Sequence, residues 1–498
     1  MDDAGGYDTL VVGAGSAGCA LAARLPGRVL LLEAGPAHPD PDLRSAATLA
    51  GSSPTHPRNW AYAAELRPGR TTTVPRGRGL GGSGATNGAN WVWSTPADTR
   101  DWARPGWSWP DLVDCYVRAE TDLDHHPARV PESHVPALSG QHRGLADHPP
   151  HGVHGPVPVR RPAGELLHPS AERFLDAAGR LGFPAEPDKN AGAPPGVGVV
   201  PVNAVDGVRV DPAAAYLRDA PGVTVRGDAP VARILFDGDR ARGVELVDGT
   251  VIEAGEVVLA AGAVATPQVL MLSGIGPADE LRAVGVPVRV DLPVGRGWSD
   301  HPAVYLPFTA GDPPAHPHSP GSQVSLDLDC GGDPAGDGEV LLFARPFTGD
   351  GPLHLMCALQ VPDSRGTITL ASADPRQRPL IRYRYLRTEH DRRRLRHVIR
   401  TAAELLRAGV GARVAPGGDV LGNDRVLDGW IAANLTTAVH LCGSAAMGPV
   451  LGPDLRVHGV TGLRVADTSA LPAVPRRGTA ATAVAVGERA AQLIRGRA

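Results

Sequence analysis

Residues 9–33 read TLVVGAGSAGCALAARLPGRVLLLE and contain the signals that decide the fold. The apolar run 10–12 leads into the turn GAGSAG, a small-residue helical pattern follows at 19–25, and a second apolar run at 29–32 ends in Glu33. A strand, a glycine turn, a helix and a second strand in this order are typical of a parallel dinucleotide-binding unit. The alternative is a plain glycine turn between two parallel strands.

The glycines of this turn have distinct expected roles. Gly13 allows the tight turn, Gly15 lets the backbone approach a pyrophosphate, and Gly18 lets the helix pack closely against the strand. The N-terminus of the helix would face the phosphates with free N–H groups, and Glu33 would hold a ribose hydroxyl. These residues predict a dinucleotide site, but they do not distinguish NAD from FAD.

The composition limits the class of protein. With 498 residues the chain has enough core for two or three domains, and its net charge of −4 argues against nucleic acid or an anionic membrane as a partner. The five cysteines are scattered without a CxxC pair, which predicts reduced thiols in a cytoplasmic protein, with a position peripheral to the membrane left open. The acidic N-terminus does not resemble a signal peptide, and no apolar run is long enough for a transmembrane segment.

A second glycine-rich stretch, GRGLGGSGATNG, occupies residues 77–88. So many glycines exclude a regular strand and favour a backbone that wraps closely around a flat or anionic ligand. A flexible linker is the alternative, but Trp91 and Trp93 follow at once, and linkers rarely run into paired tryptophans.

Histidines are frequent between residues 125 and 154, and such a cluster could suggest a metal. Their spacing fits no standard ligand set, and prolines interrupt it, so we expect no metal site. Solvated loop histidines are the better interpretation of His125, His126, His142, His148, His151 and His154.

Periodicity predicts the middle elements. An amphipathic helix is expected over Ser170–Gly182, and three short strands are expected between Val223 and Ala263. Thr266 would cap the helix that follows, with Pro267 in its first turn. This second βα unit is expected to rejoin the first parallel sheet, whereas the polar, proline-rich stretch up to Arg70 is interpreted as an excursion outside the core.

The last third of the chain predicts a second region and then a return. Segments 366–370 and 380–385 alternate like strands, and together with a helix over 388–408 they are expected to form a separate antiparallel sheet with covering helices. A small-residue turn at 440–448, a strand over 463–467 and an apolar helix over 482–495 would then return to the first sheet.

Several segments together resemble the glucose–methanol–choline (GMC) oxidoreductases, an FAD-dependent family. Residues 77–87 are similar to the first family signature, and residues 262–276, GAVATPQVLMLSGIG, are similar to the second. LVVGAGSAG, LLEAG, SDHP, HLCGSAAMG and RVADTSALP also occur in family order, so the resemblance covers nearly the whole chain. It implies FAD as the cofactor.

The resemblance also implies which residues hold the FAD. It places the pyrophosphate at Gly13, Gly15 and Gly18, the ribose at Glu33, the adenine at Val231, and the phosphates and flavin along Gly81, Gly82, Asn87 and Ala89, with Asp467 near the flavin end. Further expected contacts are Ser16, Ala17, Ala34, Arg78, Gly88, Thr479 and Ala480. Some family members bond the flavin covalently through a histidine at the position of Thr86, so a non-covalent FAD is expected here.

The catalytic histidine of the family falls on His440. It would remove the hydroxyl proton of an alcohol while a hydride leaves the carbon for flavin N5; a neutral imidazole suits this, since its unperturbed pKa is roughly 6.5. A histidine satisfied inside a small-residue turn is the alternative. The family usually places a second His or Asn beside the first, but Ala480 stands at that position, so His440 acts alone or with Thr479, Thr482 or Asn90.

The implied architecture is an α/β fold with a Rossmann-like FAD-binding domain on a parallel sheet and an α+β substrate domain with an antiparallel sheet. The FAD-binding domain is expected to be discontinuous and to carry the catalytic histidine in its last part, with the substrate domain inserted twice. The expected FAD-binding parts are 1–120, 206–305 and 432–498, and the expected substrate-domain parts are 121–205 and 306–431.

The C-terminal sequence PRRGTAATAVAVGERAA and the SDHP motif resemble the mycofactocin-associated branch of the family. This implies a dehydrogenase acting on a CH–OH group, either of a small-molecule alcohol or of the reduced peptide-derived carrier mycofactocinol, with electrons passing toward respiration. The acceptor stays open between a quinone of the respiratory chain and oxygen. An oxygen-using alcohol oxidase, a lyase of the hydroxynitrile type and a catalytically weak flavoprotein remain alternatives, the last because of Ala480.

Overall fold

A seven-stranded sheet is built around the first strand of the chain, Tyr7–Val12. The computed structural model describes residues 6–125, 151–347 and 350–496. Four strands run parallel in this sheet beside the first, and Arg240–Leu246 and Val231–Asp237 extend it as an antiparallel hairpin. The four parallel strands are Val29–Leu32, Val223–Arg226, Val251–Leu259 and Leu463–Val465.

This sheet joins three distant parts of the chain, as the sequence predicts. Val12 pairs with Leu32 on one side and with Leu259 on the other, and Leu259 pairs with Val465. The carboxyl ends of these strands therefore meet at one edge, which is where parallel sheets bind ligands. Helix Ser16–Arg24 follows the first strand, and the last helix, Ala480–Ile494, packs beside it.

The helix after strand Val251–Leu259 begins earlier than its sequence predicts. It spans Gly262–Leu272, so Thr266 lies inside it rather than at its N-cap, and Pro267 lies near its middle. A proline there has no N–H for the carbonyl oxygen four residues earlier, at Ala263. The hydroxyl of Ser444 donates to that oxygen instead, at 2.6 Å, and the helix continues through the proline.

A second seven-stranded sheet is antiparallel, and residues of both sheets line one cavity. Helices Pro169–Arg180 and Glu389–Leu405 pack against it, which confirms the predicted amphipathic helix and the predicted long helix within a few residues at their ends. Its strands are Val197–Val199, Pro302–Thr309, Ser322–Leu328, Gly338–Phe343, Leu353–Leu359, Ala412–Arg413 and Thr436–Thr437.

A five-stranded sheet overturns two sequence expectations. Strands Gly366–Thr369 and Leu380–Arg382 are not part of a separate antiparallel sheet, since Ile381 pairs in parallel with Ala64. The stretch before residue 70 also contributes core, because Tyr62–Arg67 and Arg70–Val74 form a hairpin of this sheet. The fifth strand, Arg296–Trp298, pairs with Gly366–Thr369, and this sheet therefore connects the regions that the sequence treats as separate.

The described parts of the chain also contain shorter helices: Ser83–Thr86, Pro96–Trp102, Trp109–Ala119, Pro212–Tyr216, Ala278–Ala283, Gly418–Leu421 and Asp424–Asn434. All five cysteines are buried and unpaired, as expected. Within the described ranges, no helix combines the length and the apolar character needed to cross a membrane. The division into five domain parts stays a prediction.

Candidate active site

A cavity of about 1750 Å3 lies between the parallel sheet and the antiparallel sheet. Its lining includes the glycine turn, with Gly13 and Gly15, and also His440. Two segments separated by more than 400 residues of sequence thus share one cavity, because the strand Leu463–Val465 brings the end of the chain back beside Val251–Leu259. The carboxyl edge of a parallel sheet is where dinucleotides bind in such folds.

The glycine turn approaches its neighbours so closely that side chains are excluded. Gly13 has a φ of +106°, and a Cβ there would lie 2.5 Å from the carbonyl oxygen of Ala260. A Cβ on Gly18 would lie 1.9 Å from the carbonyl oxygen of Gly13, so Gly18 packs the helix against the turn and does not line the cavity. Gly15, Ser16 and Ala17 line it. The close packing predicted for Gly18 agrees with this contact, whereas the pyrophosphate contacts of Gly13 and Gly15 stay predictions.

Glu33 connects the two glycine-rich stretches. Its buried carboxylate accepts N–H hydrogen bonds from Ala14 at 3.0 Å, from Gly35 at 2.8 Å and from Gly79 at 2.9 Å. Burial raises the pKa of this carboxyl, and the three N–H donors oppose that shift. Glu33 and Ala34 still line the cavity, so the carboxylate both holds the loops together and faces the space where a ribose would lie.

The second glycine-rich stretch is only partly exposed to the cavity. Gly82, with a φ of +51°, touches the first turn, since a Cβ on it would lie 2.7 Å from the Cα of Gly15. Asn87 and Gly88 line the cavity, and the Asn87 side-chain oxygen accepts from Arg209 at 2.6 Å. Three predicted contacts lie outside the lining: Arg78 stacks over Trp60, Gly81 donates its N–H to Ala14, and Ala89 is buried with a φ of +60°.

The remaining predicted cofactor residues lie along the same cavity. Val231, Asp467, Thr479 and Ala480 all line it. The Asp467 carboxylate is buried and accepts from the Gly262 N–H at 2.9 Å and from the Thr266 hydroxyl at 2.6 Å. It thereby holds the start of the helix Gly262–Leu272 against the end of strand Leu463–Val465.

His440 lines the same cavity as the glycine turn. Burial and the nearby positive charge of Arg76 lower the pKa of His440 to about 4, so the imidazole is neutral near pH 7. Arg76 also lines the cavity and donates to the carbonyl oxygen of Val439 at 3.0 Å. A neutral imidazole whose ring faces a cavity has the properties of a general base.

The closest partner of His440 is a histidine that the sequence does not single out. His301 Nδ1 lies 2.9 Å from His440 Nδ1, and the two rings are T-shaped with centroids 5.1 Å apart. His301 itself is fully buried and does not line the cavity. The sequence feature that could have pointed to His301 is the SDHP motif, which places an aspartate and a histidine together in a glycine-rich turn.

Asp300, the neighbour of His301, fixes both histidines by their backbones. Its Oδ1 accepts the N–H of His301 at 2.7 Å and the N–H of His440 at 2.7 Å. Its Oδ2 accepts from the Thr437 hydroxyl at 2.9 Å. One buried carboxylate thus sets the separation of the two imidazoles.

Of the residues considered as helpers for His440, Thr482 is excluded. Its hydroxyl is buried 2.9 Å from the Tyr116 hydroxyl and does not line the cavity. Asn90 and Thr479 do line the cavity, and the Asn90 oxygen accepts from the Ser322 hydroxyl at 2.8 Å. The last helix also begins at Ala480, two residues earlier than its sequence predicts, with Thr479 as its N-cap.

The antiparallel sheet contributes apolar side chains and one carboxylate to the lining of the cavity. Tyr305, Leu341, Phe343 and Met356 line the cavity from neighbouring strands. Glu339 lines it as well, and its Oε2 accepts from Gln360 at 2.7 Å. Burial raises the pKa of Glu339 to about 7.

One of the six clustered histidines is not a solvated loop residue. His151 is largely buried, with Nδ1 2.9 Å from Glu120 and Nε2 2.8 Å from Asp188. His125 and His154 are exposed as expected, and His126, His142 and His148 lie outside the described residues. His125 stacks on His151 with parallel rings 4.5 Å apart, and Arg161 bridges Asp122 and Asp188 beside them, so cations of the chain already occupy this acidic cluster.

Comparison with known proteins agrees with the fold. A family model described as GMC oxidoreductase matches residues 7–303, and its C-terminal counterpart matches residues 362–487. A GMC-type oxidoreductase of Rhodococcus erythropolis is 37% identical over 528 residues, covering 100% of both chains. An oxygen-dependent choline dehydrogenase of Photobacterium profundum is 31% identical over 98% of this chain and 93% of that protein.

The architecture is shared with a solved structure. The crystal structure of pyridoxine 4-oxidase from Mesorbium loti superposes with a TM-score of 0.86 at 27% identity, covering 98% of this chain and 99% of that chain. Similarity therefore extends over both sheets and both ends of the chain rather than over the glycine turn alone.

Proposed function

We propose that this chain, which belongs to the GMC oxidoreductase family, oxidises a CH–OH group with FAD as its cofactor and His440 as the base. The observation that carries the proposal is that His440, a neutral imidazole, lines the same cavity as the glycine turn of the expected dinucleotide site.

The residues present fit FAD. Gly13, Gly15 and Gly82 line the cavity with bare backbone, Gly13 and Gly82 have no room for a Cβ, and Glu33 lines the same cavity. These residues would hold the pyrophosphate and the adenosine, while Asp467 and the start of helix Ala480–Ile494 support the flavin end. When bound, FAD accepts a hydride from the substrate carbon. Thr86 lines the cavity and cannot form a histidyl–flavin bond, which supports a non-covalent cofactor.

His440 supplies the proton chemistry. Its neutral ring takes the hydroxyl proton of the substrate, which leaves an alkoxide-like oxygen and makes loss of hydride from the same carbon favourable. Arg76, which lines the cavity near His440, places a positive charge where negative charge develops on that oxygen.

The apolar side chains that the antiparallel sheet contributes to the cavity favour a substrate with an apolar or aromatic body. Tyr305, Leu341, Phe343 and Met356 offer no hydrogen-bond acceptor beyond one phenol, whereas Glu339 offers a carboxylate. We propose that the donor is a small-molecule alcohol or the reduced peptide-derived carrier mycofactocinol, with electrons passing to the respiratory chain through a quinone. The C-terminal sequence of residues 475–491 supports the mycofactocin assignment.

The test is anaerobic bleaching of the flavin in the purified protein. An alcohol panel that includes mycofactocinol is mixed with the protein, and the reduced protein is then exposed to oxygen or to a quinone. We expect bleaching with at least one donor, reoxidation by the quinone, and release of the FAD on acid precipitation. Rapid peroxide formation would instead indicate an oxygen-using oxidase, and substrate consumption with the flavin still oxidised would indicate a lyase.

A His440→Ala variant tests the assignment of the base. We expect it to retain FAD and to lose bleaching by at least 100-fold, in the usual range for removal of a general base. A variant that bleaches at the wild-type rate would disprove the role of His440. Failure of both proteins to bleach with every donor would support a catalytically weak flavoprotein.

A further inference from the structure

We propose that His301 is a positioning residue that fixes the tautomer of His440 and shares the proton that His440 takes from the substrate. This inference rests on the proposed function of His440 as the base. In the family a second His or Asn supports the catalytic histidine, but Ala480 stands at that position and has no polar side-chain atom. The proposal assigns this supporting role to the buried His301.

The hydrogen bonds of His301 determine the position of its proton. His301 Nε2 lies 3.0 Å from the carbonyl oxygen of Pro475, and a carbonyl oxygen only accepts, so Nε2 carries the proton. Burial and the neighbouring His440 hold the pKa of His301 well below its usual value, so the ring is neutral. Its Nδ1 is therefore an acceptor.

The tautomer of His440 follows from this. His301 Nδ1 and His440 Nδ1 are 2.9 Å apart, and two unprotonated nitrogens would not approach so closely, so a proton lies between them. Because His301 accepts, His440 Nδ1 donates. His440 Nε2 is then left with a free lone pair, and this atom faces Gly478, which lines the cavity.

Asp300 fixes the backbones of the two histidines, because its Oδ1 accepts the N–H of both. The rings are held by their own contact at Nδ1 and, in His301, by the bond from Nε2 to Pro475. The charged groups near the pair are Asp300 from the SDHP turn and Arg76, which directly precedes the second glycine-rich stretch.

The proton transfer balances without any additional reactant. The substrate O–H bond breaks and its proton binds His440 Nε2, while the carbon loses a hydride to the FAD and becomes a carbonyl. The proton on His440 Nδ1 is then shared with His301 Nδ1 across their 2.9 Å contact, so the positive charge is spread over both rings. Release of the proton from Nε2 to water restores the resting state.

The first experiment reads the tautomer directly. Long-range 1H–15N NMR of protein labelled with 15N-histidine distinguishes an Nδ1–H ring from an Nε2–H ring, and a His440→Gln variant assigns the signals. We expect Nδ1–H for His440 and Nε2–H for His301 in the FAD-loaded protein. An Nε2–H tautomer at His440 would overturn the proposal, whether or not any alcohol is oxidised.

The second experiment compares two substitutions at His301. His301→Leu removes the acceptor at similar volume, whereas His301→Asn offers an amide oxygen near the position of Nδ1. We expect the limiting rate of anaerobic flavin bleaching to fall at least 10-fold in His301→Leu and to recover at least three-fold from that level in His301→Asn, with the same FAD content and substrate Kd. Equal rates in the two variants, or a wild-type rate in His301→Leu, would contradict the proposal.

These readouts separate the proposal from the proposed function. If no donor bleaches the wild-type flavin, the proposed function fails and the NMR result still decides the tautomer. If His301→Leu does not bind FAD, the acid limb of the pH–rate profile of His301→Asn replaces it. That limb should move to lower pH, because the amide cannot share the proton and so stabilises protonated His440 less than His301 does, and an unchanged limb would contradict the shared proton.

Discussion

The hydroxyl of Ser444 donates to the carbonyl oxygen of Ala263 at 2.6 Å. This oxygen lacks its usual helical donor because Pro267 follows four residues later. The bond joins the turn that carries His440 to the helix that begins at the carboxyl edge of the parallel sheet. The proline of one segment and the serine of another are thus one structural feature, although about 180 residues separate them in the sequence.

We expect Ser444→Ala to destabilise the protein by about 1–3 kcal/mol, because it leaves a buried carbonyl oxygen without a donor. The matched test is a double-mutant cycle with Pro267→Ala, since alanine restores the N–H that Ala263 lacks. The double variant should recover most of the loss in thermal unfolding of the FAD-loaded protein. Additive losses would show that the two residues do not share this oxygen.

Glu33 should control FAD retention through the two loops it joins. In Glu33→Gln one carboxylate oxygen becomes an NH2 group that faces backbone N–H donors, so at least one buried hydrogen bond is lost. We expect FAD affinity to fall by about 10- to 100-fold, which corresponds to roughly 1.4–2.8 kcal/mol. Glu253→Gln, at an exposed position on the same sheet, is the control and should bind FAD normally. Unchanged affinity in Glu33→Gln would contradict this role.

The low pKa of His440 predicts a broad activity plateau. A base with a pKa of about 4 stays unprotonated over the neutral range, so kcat/KM should fall only as the pH approaches about 4. Arg76→Gln removes the nearby positive charge, which raises the pKa of His440 and should move the acid limb to higher pH. Arg76→Lys keeps the charge and should leave the limb in place. A limb that moves equally in both variants would show that Arg76 acts by geometry and not by charge.

Glu339 should make stability depend on pH in the opposite sense to most carboxylates. Burial raises its pKa from 4.5 to about 7, so the folded protein holds a proton that the unfolded chain releases. The free energy of unfolding that this proton contributes is fully present below pH 4.5 and is lost as the pH rises through 7, which amounts to about 3 kcal/mol. Glu339→Gln should therefore gain melting temperature over wild type more at pH 8 than at pH 5. In the control Glu172→Gln, on an exposed helix face, the difference in melting temperature from wild type should be the same at both pH values.

Much of the fold could be predicted because its signals are local. The turn at Gly13 and the acid at Glu33 lie within one short segment, and strand Val251–Leu259 joins the same sheet through a recognisable second βα unit. The hairpin Tyr62–Val74 could not be predicted in the same way, since its alternation is carried by small alanines and its partner Ile381 is more than 300 residues away.

The same distinction between local signals and contacts distant in sequence applies to the site. His440 lies in a recognisable motif, and the structure places it on the cavity that the glycine turn also lines. The contact of His301 with His440 joins residues 139 positions apart, and no local pattern encodes it. Thr266 has the residue type of a helix cap, but Asp467 binds its hydroxyl, and this tertiary contact outweighs the local preference.

His151 predicts a loss of stability at alkaline pH. Burial alone would lower its pKa, but hydrogen bonds to Asp188 and Glu120 outweigh burial and raise the pKa to about 9. The folded pKa lies above the unfolded value of 6.5, so the stabilisation is fully present below pH 6.5 and is lost as the pH rises through 9, on the order of 2–3 kcal/mol. His151→Gln should remove this dependence and should be less stable than wild type mainly below pH 8. The control is His154→Gln, at an exposed histidine of the same segment, which should follow the wild-type curve. Parallel unfolding curves for His151→Gln and wild type from pH 6 to pH 10 would show that the carboxylates of Glu120, Asp122 and Asp188 do not hold a charged imidazole.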